Sequence, residues 1–118
     1  MATRLFASLA SIGLLAACSP EMLDSREPTQ AELLGQGRAM AEVMCSQCHA
    51  IGTDDVGPHP ETVPFRRLSW EYPIETLAEP LAEGIIVGHP DMPVFQFEPQ
   101  DIDALLAYLE SIQEPRPI

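Results

Sequence analysis

The chain has 118 residues, a formal net charge of −12, three cysteines, and six cationic side chains that are all arginine. Its length predicts one domain. Acidity on this scale argues against nucleic acid, which needs a basic footprint, and against adsorption to anionic lipid by charge. A macromolecular partner should be basic, or should make mostly apolar contact; solubility alone is the competing explanation of the acidity.

Residues 1–17 read as an export signal, with Arg4 ahead of an apolar run from Leu5 to Leu15. That run is too short for a comfortable membrane span. It ends in Leu15-Ala16-Ala17-Cys18, which resembles the lipobox of bacterial lipoproteins, where cleavage before the cysteine leaves it acylated. A periplasm-facing protein anchored to a membrane through lipidated Cys18 is therefore expected, since two or more acyl chains hold stably at about 0.8 kcal/mol per buried CH₂. A soluble periplasmic protein is the alternative. Residues 18–28 are short, polar and proline-flanked, and read as a tether; the domain proper is 29–118.

Thr29-Gln30-Ala31-Glu32 has the spacing of a capping box, so a helix should start there. Leu33, Leu34, Gly37, Met40, Ala41 and Met44 then fall on one side, with the two methionines read as core. Gly37 costs roughly 1 kcal/mol against alanine in a helix interior, which makes sense if another helix crosses closely. The helix delivers Cys45-Ser46-Gln47-Cys48-His49.

Two thiols three positions apart, followed by a histidine, are what covalent haem attachment requires. Each thiol can add across one porphyrin vinyl group, and His49 can reach back under the ring to bind the iron. A thioredoxin-like dithiol wants a βαβ context that is missing, and a zinc site wants four ligands. A plain disulfide would leave His49 unexplained. With Cys18 given to lipid, no thiol is left over and no disulfide framework is expected.

Residues 51–64 read as loop, punctuated by Gly52, Gly57, Pro58, Pro60 and Pro64. The Pro58 carbonyl is the expected acceptor for the second ring nitrogen of His49. Residues 65–72 carry Arg66, Arg67, Trp70 and Tyr72. Arg66, Arg67 and Trp70 are candidates to hold the propionates, against ordinary surface arginines and a core tryptophan. Ile74, Leu77, Ala78, Leu81 and Ile85 repeat helically. Pro80 should kink that helix or open a second one, and Gly84 or Gly88 should end it.

A rigid loop follows, in which Pro90 and Pro93 bracket Met92. The last helix should begin at Glu98-Pro99, bury Ile102, Leu105, Leu106, Tyr108, Leu109 and Ile112, and close by Pro115. Tyr108 is the expected neighbour of Gly37. No strand pattern and no internal repeat are visible.

Taken together, Gly37, the Cys45–His49 stretch, Gly57-Pro58, Met92-Pro93 and Tyr108-Leu109 make the chain similar to a class I bacterial cytochrome c with one haem, from about residue 29 to 113. The resemblance implies an all-α small cytochrome c fold, with first and last helices crossing and a middle helix and loops wrapped around the haem. It implies one covalent haem c on Cys45 and Cys48, with His49 and Met92 as axial iron ligands. His89, three residues from Met92, is the competing ligand. Two departures stand out: Ala41 where the family often has an aromatic, and no lysine to ring the haem edge. A His/Met haem has no open position and a raised potential, so a non-enzymatic one-electron carrier between respiratory redox partners is expected. A haem-based peroxidase or gas sensor follows instead if Met92 is not a stable ligand. A dedicated cytochrome subunit of a dehydrogenase complex is the third reading.

Overall fold

The computed structural model describes residues 26–84, 86 and 90–118. The export signal 1–17, Cys18, Met22 and most of the tether lie outside the described residues, as do Ile85, Gly88 and His89.

Helix α1, Gln30–Met44, starts where its cap is written. The Thr29 hydroxyl accepts from Glu32 N–H at 3.3 Å, and the Glu32 carboxylate accepts from Thr29 N–H at 2.7 Å, so two orphan donors of the first turn are met reciprocally. The last helix, Pro99–Ser111, opens with proline in its first turn, where no N–H is needed. Between them a 3₁₀ segment, Ile74–Leu77, runs into a second α-helix, α2, Ala78–Glu83. The Pro99–Ser111 helix is therefore α3. Among the described residues there is no strand, and the fold is all-α.

Proline 80 neither kinks a long helix nor opens the second one. It is the third residue of α2, still within the first turn, whose donors have no intrahelical partner. The break comes two residues earlier, at the switch from 3₁₀ to α winding. Gly84 caps α2 with φ +69°, a conformation that glycine adopts without strain. A further 3₁₀ turn, Phe65–Trp70, was not read from the sequence.

The largest packing interface is α1 against α3. A Cβ on Gly37 would collide with the Ala104 carbonyl and lie 2.7 Å from Tyr108 Cβ, so the helices cross backbone against backbone at that point, and only glycine fits. Ala41, fully buried, continues the contact as a small residue. Around the crossing, Phe65, Ile74, Leu81, Ile102, Leu105, Tyr108 and Leu109 complete one core, with Met40 packed against it. Met44 departs from the expected core position: at the end of α1 it is 38 % exposed, lining a surface pocket with Met40, Val94 and Phe97 rather than the core.

Candidate functional site

Cys45 caps α1, and the chain then wraps tightly on the Cys45 carbonyl, which accepts from both Cys48 N–H (3.1 Å) and His49 N–H (2.9 Å). One acceptor thus fixes the turn that sets the second thiol and the imidazole relative to Cys45. Both thiols are half-buried and unjoined. Burial, with a smaller contribution from Cys48, pushes the Cys45 thiol up to about 11, so it is protonated at neutral pH.

His49 leans on two neighbours. Its Nδ1 lies 2.8 Å from Val63 O, and its ring sits 5.1 Å from that of Phe65. The Pro58 carbonyl is therefore not the acceptor expected from the sequence: Pro58 is exposed, and the chain has to run five residues further before it returns beneath the ring. Gly57 is needed for another reason. A Cβ there would lie 2.5 Å from Ala50 N and 2.8 Å from His49 C, so the loop passes directly against the backbone at His49. Asp55 ties this loop by accepting from Ile51 N–H and Gly52 N–H, each at 2.9 Å. Thr62 anchors the return, its hydroxyl 2.7 Å from Cys48 O.

Beside the imidazole is a cavity of about 260 Å³. Its walls come from every helical segment after α1: Phe65 and Leu68, Leu77 and Leu81, Leu105 and Leu109. Cys45 and His49 enter from one end of the chain, and Met92, with Phe95 and Phe97, from the other. A second cavity, about 600 Å³, is lined by Cys48, His59, Glu61, Thr62 and Asp91. Val63 and Tyr72 line both cavities. The thiols therefore mark an inner space walled almost wholly by apolar groups and an outer one whose wall mixes polar and apolar groups, and the two share a wall.

This set fits haem. A flat apolar ring needs such a lining, and an imidazole and a thioether on one cavity are a recognised axial pair, while the thiols border both spaces. Met92 is thus brought together with Cys45 and His49, and Cys48 stands next door.

Arg66, Arg67 and Trp70 are not brought there. None lines either cavity. The Arg66 guanidinium lies 2.7 Å from a Glu114 carboxylate oxygen and donates to Asp55 O at 3.0 Å. Arg67 binds the other Glu114 oxygen at 3.0 Å and lies over the Trp70 ring at 4.9 Å. Trp70 Nε1–H donates to Glu114 O at 3.0 Å. The expected propionate ligands instead hold the C-terminal tail, because an acidic residue 47 positions away satisfies both guanidinium groups. Sequence reasoning missed Val63, Phe65 and Tyr72 as site residues. Val63-Pro64 carried one signal, since a residue before proline is extended and can present its carbonyl sideways.

Comparison with curated proteins and comparison with solved structures each gave no match. The family model for cytochrome c matches residues 35–113, well over half of the chain, from the turn before Gly37 to Gln113. Members carry covalently bound haem c, transfer electrons through it and act with redox partner proteins. The chain belongs to the cytochrome c family.

Proposed function

We propose that this protein is a periplasm-facing one-electron carrier with a single haem c, tethered to a membrane through lipidated Cys18. The observation that carries the reading is that His49 and Met92, far apart in sequence, line the same apolar cavity as Cys45. Haem supplies reversible one-electron chemistry when bound, with a potential raised by a thioether ligand. The protein's own part is to hold and to shield. Cys45 and Cys48 would carry the ring, and His49 and Met92 would occupy both axial positions, which leaves no open site for oxygen or peroxide and makes the protein a carrier rather than an enzyme. Val63 O orients the imidazole from behind, which fixes its tautomer and strengthens it as a ligand. The leucine and phenylalanine walls would pack on the ring and limit water around it, so that little rearranges on electron gain or loss.

Among the described residues no helix is long and apolar enough to cross a membrane; the lipid on Cys18 would be the anchor. Lacking lysine and carrying a net charge of −12, the chain should dock respiratory partners that are basic or apolar at the contact.

Mass spectrometry of the native protein, read with its oxidised absorption spectrum, tests these points together. One haem mass, acyl mass on Cys18 and the weak far-red band of iron–thioether bonding are expected. A colourless product of plain polypeptide mass would refute the reading. Absence of the far-red band together with rapid CO binding would make the protein a sensor or peroxidase instead.

A further inference from the structure

The segment that orients His49 is itself held from the far end of the chain. Gln113 donates through Nε2 to Phe65 O at 2.8 Å, and its Oε1 accepts from Ser69 N–H at 2.8 Å. Glu114 N–H donates to Arg66 O at 2.7 Å, and Glu114 O accepts from Trp70 Nε1–H. The Glu114 carboxylate then spans Arg66 and Arg67. Every one of these ties lands on the 3₁₀ turn Phe65–Trp70.

The other end of that turn touches the imidazole. Phe65 packs on the His49 ring, and Phe65 N–H donates to Ala50 O at 2.9 Å, next to His49. Two residues upstream lies Val63 O, the acceptor of the His49 hydrogen bond. Between them stands Pro64, with φ −63° and ψ 141°. Its ring locks φ, so movement of Phe65 passes to the Val63 carbonyl with little slack. The Arg66 side chain is only 12 % exposed. Its anionic partners are Asp55 and Glu114, and removing one leaves an under-compensated cation that has reason to move. The neighbouring Arg67, and to a lesser extent Arg66, hold the Glu114 carboxyl below its ordinary range. Glu114 lies one residue beyond the stretch that the family model matches.

We infer that Glu114 is a positioning residue for His49: by clamping the Phe65–Trp70 turn from the C-terminal tail, it fixes the direction of the Val63 carbonyl and, through it, the orientation of the imidazole. The inference rests on the reading of His49 as an axial ligand.

The test is hydrogen–deuterium exchange of the His49 Nδ1 proton in the reduced haem-loaded protein, followed by NMR. Glu114→Ala should exchange about tenfold faster than the unaltered protein, the factor expected when a charge-assisted tie on the clamp is lost. Glu114→Gln keeps the backbone ties and one side-chain acceptor, so it should recover most of the protection, with exchange within about threefold. Glu42→Ala breaks an exposed pair with Arg38 on α1 and should change nothing. Where Glu114→Ala yields no stable haem protein, Trp70→Phe, which removes the tie to Glu114 O and keeps an aromatic ring under Arg67, decides the matter with an acceleration of about threefold. Exchange within twofold of the unaltered protein, even with a lowered thermal midpoint, would show the clamp to be structural only and would overturn the proposal; so would an equal acceleration in Glu42→Ala. If the unaltered protein lacks porphyrin-shifted imidazole signals, the axial reading falls and takes the proposal with it. If those signals are present and Glu114→Ala leaves exchange unchanged, the proposal alone falls.

Discussion

The two sides of the inner cavity are built differently. On the histidine side, residues 45–72 form a hydrogen-bonded frame: two N–H groups on Cys45 O, Phe65 N–H on Ala50 O, the Asp55 carboxylate on two more donors, and Tyr108 O–H on Ile51 O at 2.8 Å. On the methionine side, residues 90–97 carry, among the described residues, one backbone hydrogen bond, from Phe97 N–H to Leu81 O at 2.9 Å. What holds Met92 is packing, with Phe95 and Phe97 stacked 5.6 Å apart and Pro90 and Pro93 stiffening the backbone. Hydrogen bonds are directional and lose strength over a few tenths of an ångström, whereas apolar contacts slide. The contrast teaches that the histidine is fixed by its frame while the methionine is held by a wall that can adjust. A disturbance on the first side should therefore cost folding, and one on the second should cost ligand chemistry.

The largest effect is expected from Gly57→Ala. The added carbon would press on Ala50 N and His49 C, backbone atoms that the frame does not let move. Overpacking of this kind costs about 3 kcal/mol, which in a domain of this size lowers the thermal midpoint by about 15 °C. Calorimetry of the haem-loaded protein measures it. A fall of less than about 5 °C would mean that the frame is as compliant as the opposite wall.

Met92→Ala should give the opposite pattern. Truncating a half-buried methionine on an adjustable wall should cost about 1–2 kcal/mol, below the range for fully buried side chains, while the potential falls and CO gains access to the iron. A CO titration beside a thermal melt separates the two. His89→Ala, at a position outside the described residues, should leave both nearly unchanged. If it gives the larger spectral change, Met92 is not the ligand and the comparison has the wrong residue on its soft side.

The same division explains what could be read from the sequence. Thr29 and Glu32, the helical spacing of Gly37 on α1, the apolar face of α3 and the turn at Cys45 are local signals or periodic ones, and each depends on residues a few positions apart or on one helix face. The ends of the Met92 loop were marked by proline. That a loop carbonyl supports His49 was legible but which one was not, because any residue at position 63 supplies the acceptor and only the following proline marks it. Arg66 and Arg67 looked available for propionates because their carboxylate partners lie far off along the chain; Glu114 spans both guanidinium groups and Asp55 adds to Arg66, and partners that distant leave no spacing to detect. Pro80 misled for a related reason: a proline three residues into a helix and one at its first position satisfy the same orphan-donor rule, and the sequence does not choose between them.

The smallest effect should come from the far end of α1, whose cap residues line neither cavity. Hydrogen bonds from Arg26 and then from Thr29 lower the Glu32 carboxyl to about 2, from an ordinary 4.5. A carboxyl that is more acidic in the folded chain than in the unfolded one stabilises the fold at any pH above 4.5, and that stabilisation drains away as pH falls from there toward 2. In this window the unaltered protein must bind a proton at Glu32 in order to unfold, and Glu32→Gln has none to bind. The variant should melt slightly lower at neutral pH, and the gap between the two melting curves should close between pH 4.5 and 2. Thr29→Ala, which removes the other half of the cap, should cost about 1 kcal/mol. Because the cap is remote from His49 and Met92, the haem spectrum of the folded protein should match between variant and parent across the same window. A gap that stays constant with pH would show that Glu32 titrates normally in the folded chain. A spectrum that shifts in step with the cap would mean that the two sides of the cavity answer to a common strain, and that the division between frame and wall does not hold.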